Sequence, residues 1–499
     1  MHWSEKIAPT TLARPRLFGA GLGGPLAWIG VAPKAPYFIE ETGASWHPVG
    51  QNDAVSWIEL DPLFKRRDVA AVERHLAMLK AHGVTVLRLM LEYAQVRHRY
   101  IEKPAGTFSP NMLRFWDDLF ALCEGHELRI LLTPYDTFWM WLHFRHHPYS
   151  RTRGGPLDHP SRALLDPGMR DAIKRRLSFA TARWGGSGSL FAWDLWNEIH
   201  PAQARDSAEV FDEFIADIGG HLRQEELRLH GRAHPQTVSL FGPELLWRPH
   251  MKMEAAIFRH PALDFANLHI YEHGTIDAPD NTVDAAVGMG RIVREALGEI
   301  EDGRPFFDSE HGPIHSFKDR HRSLPEPFDD EYFRHMQWAH LASGGAGGGM
   351  RWPNRTPHVL TPGMRRAQCG LSAFLPLIDW RRFERCNVGP DLIVRTRDGA
   401  KIGPDRLARF GCASATQAVV YLLPRDRLDA GGMMQDGAEL VALSVAVPGL
   451  APGTYRVTGW HTAEGRAAST ETQDLEACGT ITLPSFRRDL AVALSRVAG

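Results

Sequence analysis

The chain has 499 residues, 43% of them hydrophobic and 23% charged, and 57 Lys and Arg against 59 Asp and Glu give a formal net charge of −2. Such a length allows two or three domains, and the even charge balance argues against nucleic acid or an anionic membrane surface as a partner. Five cysteines (Cys123, Cys369, Cys386, Cys412 and Cys478), odd in number and without CxxC spacing, argue against a disulfide framework and a thiolate zinc site.

Residues 1–36 are irregular and rich in Pro and Gly, and are expected to wrap the outside of the folded domain. No apolar run reaches the length of a membrane span, and residues 1–17 lack the core of a secretory signal. The apolar run at 19–31 is broken by glycines, so a cytoplasmic location is expected. Residues 37–53 read as a hairpin with Thr42-Gly43 as its turn, running into a strand that ends at Gln51-Asn52-Asp53. Over 68–82, Val69, Val72, Leu76 and Leu79 fall at helical spacing, with Gly83 as the stop. Residues 84–92 (VTVLRLMLE) form a strand carrying Arg88 among apolar neighbours, and a charge placed there needs a partner. Ser109-Pro110 marks the next helix start, and 128–135 (LRILLTPY) the third strand.

Residues 136–165 break this rhythm with Trp139, Trp141, His143, His146, His147 and Tyr149, a long loop too aromatic for disorder. Asp166-Pro167 opens a helix that leads through a Gly/Ser turn into residues 190–201 (LFAWDLWNEIHP). This apolar, aromatic strand has Asp194 as its one charged interruption and ends in Asn197-Glu198. A helix near 206–229, a strand at 237–241, a helix near 251–258, a strand at 265–271 and a helix over 280–297 come next. Residues 304–312 (RPFFDSEHG) then deliver Glu310 from a second strand of the same build. A helix near 329–341 and a glycine-rich strand at 344–352, ending in Arg351-Trp352, complete about eight strand–helix alternations. That rhythm predicts an α/β fold, a (β/α)8 TIM barrel. GGAGGG at 344–349 lacks the Lys-Ser/Thr of a phosphate loop and reads as close packing. From about Phe410 short strands at 417–423, 439–447, 454–462 and 480–483 alternate with turns, predicting a C-terminal antiparallel β-sandwich. The expected division is residues 1–409 for the barrel, with its N-terminal extension and capping hairpin, and 410–499 for the β domain. The β domain is expected to buttress the barrel, with sugar binding as the alternative.

In parallel α/β folds ligand chemistry sits at the carboxyl ends of the strands. Glu198 and Glu310 both stand there. Two carboxyl groups facing each other, one protonated and one ionised, are what glycosidic bond cleavage requires. Either Glu taken alone would read as a solvated loop residue or a satisfied ion pair.

Trp196-Asn197-Glu198, Phe307-Asp308-Ser309-Glu310, His269-Ile270-Tyr271, Arg88 and Trp352, each at its strand, resemble the clan A barrels of retaining glycoside hydrolases. Among these, family 5, with its cellulases and β-mannanases, is the nearest in character. The likeness covers residues 37–377, and the hairpin at 37–53 resembles the lid closing the barrel bottom in that clan. Ile199-His200-Pro201 departs from the Pro-rich continuation of several subfamilies, which leaves the substrate open. The resemblance implies that Glu198 is the general acid/base and Glu310 the nucleophile of a double displacement that needs no cofactor or metal. The implied partner is a carbohydrate, an oligosaccharide or glycoside. Arg88 would hold Glu310 ionised, Asn197 would bond the sugar 2-hydroxyl, and Tyr271 would donate to Glu310. His269 would hold a hydroxyl or the acid/base, and Trp352 would offer its face to the sugar. The bland alternatives are a structural ion pair for Arg88, a core histidine for His269 and ordinary packing for Trp352.

Asn52, Asp136, Glu244, Trp247 and His311 also sit at or just beyond strand ends, where each is a candidate to line the cleft. Two rival readings remain. One is a carbohydrate-binding barrel without catalysis; the other is a metal-dependent hydrolase using His143, His146 and His147, whose HFRHH spacing lacks the HExxH pattern.

Overall fold

The computed structural model describes residues 26–135, 137–271, 279–314, 323–396, 398–435, 443–476 and 479–497. The barrel strands are Gly50–Asp53, Val86–Met90, Arg129–Thr133, Leu190–Asp194, a fifth in two pieces, Ala266–Ile270, Phe306–His311 and Met350–Arg351. All neighbouring pairs are parallel, and the eighth strand pairs back onto the first at Met350–Gly50 and Arg351–Gln51. The two pieces of the fifth strand are Gln236–Thr237, paired to the fourth, and Ser239–Phe241, paired to the sixth. They are the two ends of one sheet, so the cylinder closes through Val238. This is the (β/α)8 barrel expected.

The barrel strands are buried almost throughout, interior and helix-facing residues alike, and those such as Val86–Met90 and Leu190–Asp194 are correspondingly apolar. Every residue of Val86–Met90 is buried, Arg88 included. The helix Val69–Ala81 is capped by the Asp68 side chain, which accepts from Ala71 N at 2.9 Å. Asp166 does the same for Pro167–Trp184 through Met169 N at 3.2 Å. Ser109 makes no side-chain cap on Pro110–Gly125, whose start therefore rests on Pro110.

Several elements depart from expectation, among them the strand Ile29–Val31 in the stretch expected to be irregular. In place of the helix expected near 251–258 the chain forms a 3-10 turn, Pro249–Met251, and a π turn, Ala255–Arg259, parted by Lys252 at φ 50°. The eighth strand is only Met350–Arg351, preceded by Gly344, Gly347 and Gly349 at positive φ. A Cβ at Gly347 would meet Pro48 O at 2.1 Å, so the glycine run is a tight turn pressed on the chain that enters the first strand. The helix Pro362–Phe374, which local sequence pattern did not single out, closes the ring, with Thr361 capping Met364 N at 3.2 Å.

Ile29–Val31, Phe38–Glu40 and Ser45–Trp46 form a small antiparallel sheet. Phe38 packs 5.0 Å from Phe191 and 5.3 Å from Phe265, and Trp46 lies 4.5 Å from Phe191, so these rings plug the amino end of the cylinder. At the other end of the chain six strands make an antiparallel sheet in the order Cys386–Asn387, Leu407–Ala413, Gln417–Pro424, Leu490–Arg496, Gly453–His461 and Arg466–Leu475. A three-stranded sheet of Ile393–Arg395, Ser444–Ala446 and Ile481–Thr482 accompanies it. Period-two alternation divides the strand Gln417–Pro424. Ala418, Val420 and Leu422 face the inner core of the β unit, whereas Val419, Tyr421 and Leu423 join the barrel core. Trp338, on the helix Glu326–Ala342, lies 6.1 Å from Tyr421, and Phe374 lies 5.8 Å from Trp460. Antiparallel pairing thus starts at Cys386, ahead of the change in texture at Phe410, and we propose the domain boundary just before Cys386. Among the described residues no helix is long and apolar enough to cross a membrane.

Candidate active site

The fourth strand ends at Asp194, and the chain runs on through Leu195, Trp196 and Asn197 to Glu198. Leu195 N donates to Thr237 O at 2.8 Å and Ile199 N to Ser239 O at 2.9 Å, pinning both sides of the bend. Glu198 itself has φ 49°, a left-handed conformation that costs energy in any residue but glycine. Side chains on an extended strand alternate between faces, and the bend breaks that alternation. Asn197 and Glu198 consequently both reach groups in the barrel mouth. Glu198 N is held by Ser239 Oγ at 3.0 Å.

From the second strand, the Arg88 guanidinium forms the hub. Nη1 donates to Glu310 Oε2 at 2.8 Å and to Asn52 Oδ1 at 2.9 Å. Nη2 donates to Asp194 Oδ2 at 2.8 Å and to Asn197 Oδ1 at 2.6 Å. Asp194 is further held by Thr133 Oγ1 at 3.2 Å, Ser239 Oγ at 3.0 Å and Ser239 N at 2.9 Å. Glu310 receives a second donor, Tyr271 OH, on Oε1 at 2.6 Å. His269 Nδ1 lies 2.8 Å from Glu198 Oε1, and its Nε2 lies 3.1 Å from Ser309 Oγ.

Burial pushes Glu198 up to about 7, reinforced by Asp194 and Glu244 and opposed by Arg88 and His200. Burial also raises Glu310 and the charge of Glu198 adds to this, while His269, Arg88 and the Tyr271 hydroxyl pull it down. Glu310 has donors on both oxygens, so its ionised form is the solvated one. Glu198 has 22% of its side chain open to the cleft. His269 is lowered to about 4 by burial, which makes it a neutral hydrogen-bonding ring at neutral pH. Burial and the adjoining Glu310 carboxylate hold the Tyr271 hydroxyl protonated. Donor atoms of Glu198, His269 and Glu310 all lie within 4.8 Å of one another, a spacing that a metal ion could also span. Here the fixed positive charge is Arg88.

The remaining candidates divide. Trp352 is half-buried, 5.0 Å from Trp57 and 6.1 Å from Tyr93, as part of an aromatic wall. Glu244 pairs with His200 at 3.2 Å and Arg248 at 3.0 Å, and Trp247 stands exposed on the rim. Asn52 does not line the cleft as expected: its amide is taken up by Arg88, Ser309 O and Arg351 O, so it positions the hub from behind. His311 is likewise buried and paired with Asp308 Oδ2 at 2.7 Å, because the seventh strand turns it from the mouth. Asp136 lies outside the described residues. The histidine-rich loop offers no common ligand point: His147 is bound to Glu92 at 2.9 Å, His143 stacks on Trp139 at 5.6 Å, and Arg145 and Arg153 face the two nitrogens of His146.

Asp194, Ser239, Ser309 and Thr137 belong to the site although sequence reasoning does not mark them. The signal for Asp194 is present, since a lone acid on a buried strand needs a partner as much as a lone arginine does. A hydroxyl on an apolar strand, as at Ser239 and Ser309, or at the start of a short helix, as at Thr137, is too common a feature to mark the other three.

No family model and no curated protein matches the chain. Its fold is similar to that of solved glycoside hydrolases. One described simply as a glycoside hydrolase has a TM-score of 0.59 at 12% identity, covering 95% of this chain and 98% of that one. A glycoside hydrolase family 5 protein from Bacteroides vulgatus has a TM-score of 0.58 at 10% identity, covering 94% and 93%. A family 5 mannosidase from Rhizomucor miehei has a TM-score of 0.52 at 14% identity, covering 72% of this chain and 100% of its own. The chain has the fold of family 5 glycoside hydrolase structures.

Proposed function

We propose that the chain is a retaining glycoside hydrolase that cleaves β-glycosidic bonds of oligosaccharides or glycosides. The observation that carries this is that a carboxylate oxygen of Glu198 lies within 4.8 Å of one of Glu310, from separate strands and with unequal hydrogen bonding. Retaining enzymes hold their two carboxyls about 5–5.5 Å apart, whereas inverting enzymes leave about 6.5–9.5 Å for a water molecule. Glu310, held by Arg88 and Tyr271, attacks the anomeric carbon and forms a covalent glycosyl ester. Glu198, protonated because its pKa stands near 7, gives its proton to the leaving oxygen. Water then enters, Glu198 takes its proton, and the ester is hydrolysed. Asn197 Oδ1 faces Arg88, which leaves its amide nitrogen as the donor for the sugar 2-hydroxyl. His269 orients Glu198 and stays neutral throughout.

The test uses aryl β-glycosides and oligosaccharides, β-mannosides first, with wild type and Glu310→Ala in the presence of azide. Cleavage by wild type, loss by several orders of magnitude in the variant, and azide rescue giving an α-glycosyl azide are expected. Activity should survive EDTA. A variant as active as wild type would remove Glu310 from the mechanism, and loss in EDTA would favour metal-dependent hydrolysis.

A further inference from the structure

Among the described residues, two groups of three side chains bring metal-ligating atoms within 4.8 Å of one another. One is Glu198, His269 and Glu310 in the mouth, where Arg88 supplies the positive charge. The other is Asp53, Glu59 and His75. Side chains alternate along the first barrel strand, and Asn52 turns inward to Arg88. Its neighbours Gln51 and Asp53 therefore turn outward. Gln51 meets Arg365 on the helix Pro362–Phe374, and Asp53 faces His75 on the helix Val69–Ala81. Glu59 comes from the segment joining the strand to that second helix.

His75 stands between the two acids and closes on neither. Its Nε2 is 3.6 Å from Asp53 Oδ2, and its Nδ1 is 3.4 Å from Glu59 Oε1. Buried histidines elsewhere in this protein meet their carboxylates at hydrogen-bond distance: His147 and Glu92 at 2.9 Å, His234 and Glu226 at 2.8 Å, His311 and Asp308 at 2.7 Å. His75 Nε2, Asp53 Oδ2 and Glu59 Oε2 are all buried and find no hydrogen-bond partner among the described residues. The His75 and Asp53 side chains are 7% and 0% exposed, so bulk water does not serve them. Buried polar atoms left unpaired are costly. Arg365 does not fill the gap. Its Nη1 is taken by Gln51 and Gln368, and its Nη2 stops 3.9 Å from Glu59 Oε1.

Two ligand atoms on a tetrahedral zinc ion, each about 2.0–2.2 Å from the metal, stand roughly 3.4 Å apart. The spacing of His75 Nε2 and Asp53 Oδ2 is close to that edge. An imidazole gives one nitrogen to a metal, so the third donor, within 4.8 Å, closes in when the ion binds. One imidazole with two carboxylates suits zinc, whereas calcium and magnesium take oxygen ligands.

We propose that Asp53, Glu59 and His75 bind a zinc ion, which pins the segment between the first strand and its helix. Trp57 lies in that segment, 5.0 Å from Trp352, so the ion steadies one wall of the mouth from behind. Without the ion, burial and Asp53 raise Glu59 to about 7, and zinc takes the place of that proton. Because the ligands face away from the catalytic pair, EDTA costs stability and not the chemistry.

The test strips the protein with EDTA, dialyses it and titrates it with ZnCl2, with metal content measured by atomic emission. We expect one equivalent of zinc per chain and a Tm about 4 °C or more above that of the stripped protein. His75→Gln and Glu59→Gln should each lose the bound zinc and the rise in Tm. The readout is the difference between zinc-loaded and stripped forms, so a variant that is merely less stable still reports. The double variant His143→Ala, His146→Ala, which removes two histidines of the 136–165 loop, should keep both. No bound zinc, zinc held by His75→Gln as by wild type, or binding lost only in the loop variant overturns the proposal. A rise in Tm with CaCl2 and none with ZnCl2 overturns it as well, since such an ion would not be using His75. No substrate enters the assay, so its outcome does not depend on which glycoside the protein cleaves.

Discussion

Replacing Arg88 with Met tests the electrostatic argument where it is most exposed to refutation. The side chain is 1% exposed and holds two carboxylates, Asp194 and Glu310, each at 2.8 Å. Methionine has similar length and no charge, so the variant removes the guanidinium without opening a large cavity. At an effective dielectric of about 20, opposite charges roughly 3 Å apart interact by about 5 kcal/mol, and part of that is offset by the desolvation of the arginine. Deleting one partner of a buried pair costs about 3–5 kcal/mol, because the other charge is left uncompensated. We therefore expect stability to urea at pH 7 to fall by about 4 kcal/mol. Glu310, already raised by burial, should rise further, moving the acidic limb of the kcat/KM profile upward by about 1–2 pH units. kcat/KM at neutral pH should drop by roughly a hundredfold or more, as Glu310 spends its time protonated and Asn197 loses its anchor. Arg88→Lys should fall between, since one ammonium cannot serve both sides of the fork. The assays are urea unfolding followed by circular dichroism and a pH–rate profile on an aryl glycoside. If the acidic limb stays in place and stability falls by less than about 1 kcal/mol, the guanidinium is not what holds these carboxylates, and the reasoning fails.

Glu198→Gln should erase the basic limb expected near 7 and slow substrates with poor leaving groups far more than a dinitrophenyl glycoside, which needs no proton; an equal loss across leaving groups would contradict the acid/base role. Away from the mouth, Asp53 and Glu59 bracket His75 at 3.6 and 3.4 Å, and burial, with Asp53, raises Glu59 from 4.5 to about 7 against His75 and Arg365. A raised carboxyl contributes its stability in full below about 4.5 and loses it as the pH rises through about 7. Glu59→Gln should therefore flatten the fall in unfolding free energy between about pH 5 and about pH 8, and an unchanged slope in urea titrations would disprove this.

Much of the barrel is legible because it is written in local pattern. Strands such as Val86–Met90 and Leu190–Asp194 are apolar runs ended by polar residues, and caps such as Asp68 and Asp166 mark their helices. What escapes depends on distant partners. The strand Arg466–Leu475 is largely polar and exposed, and becomes a strand only because Gly453–His461 pairs along its length. Leu407–Ala413 and Leu490–Arg496 are rich in alanine, a helix former, yet their ladders with Gln417–Pro424 make them central strands. The fifth barrel strand looks continuous in sequence, and its change of partner at Val238 comes from closing the cylinder.

The site shows the same division. Glu198, Glu310 and Arg88 are legible because each breaks a local rule, a charge at or inside a buried strand. Asn52 and His311 stand at strand ends too, and position along a strand cannot tell a side chain facing the mouth from one turned behind it. The charges explain why the mouth tolerates so much buried polarity. Arg88 carries one positive charge against Asp194 and Glu310, while Glu198 is mostly protonated below about 7 and His269, lowered to about 4, is neutral. These groups sum to one negative charge, desolvated and held by fixed donors. On the proposed mechanism, positive charge develops at the anomeric carbon as the leaving group departs. The net negative charge then meets its complement only in the transition state, which is how a preorganised site lowers a barrier without binding its substrate more tightly.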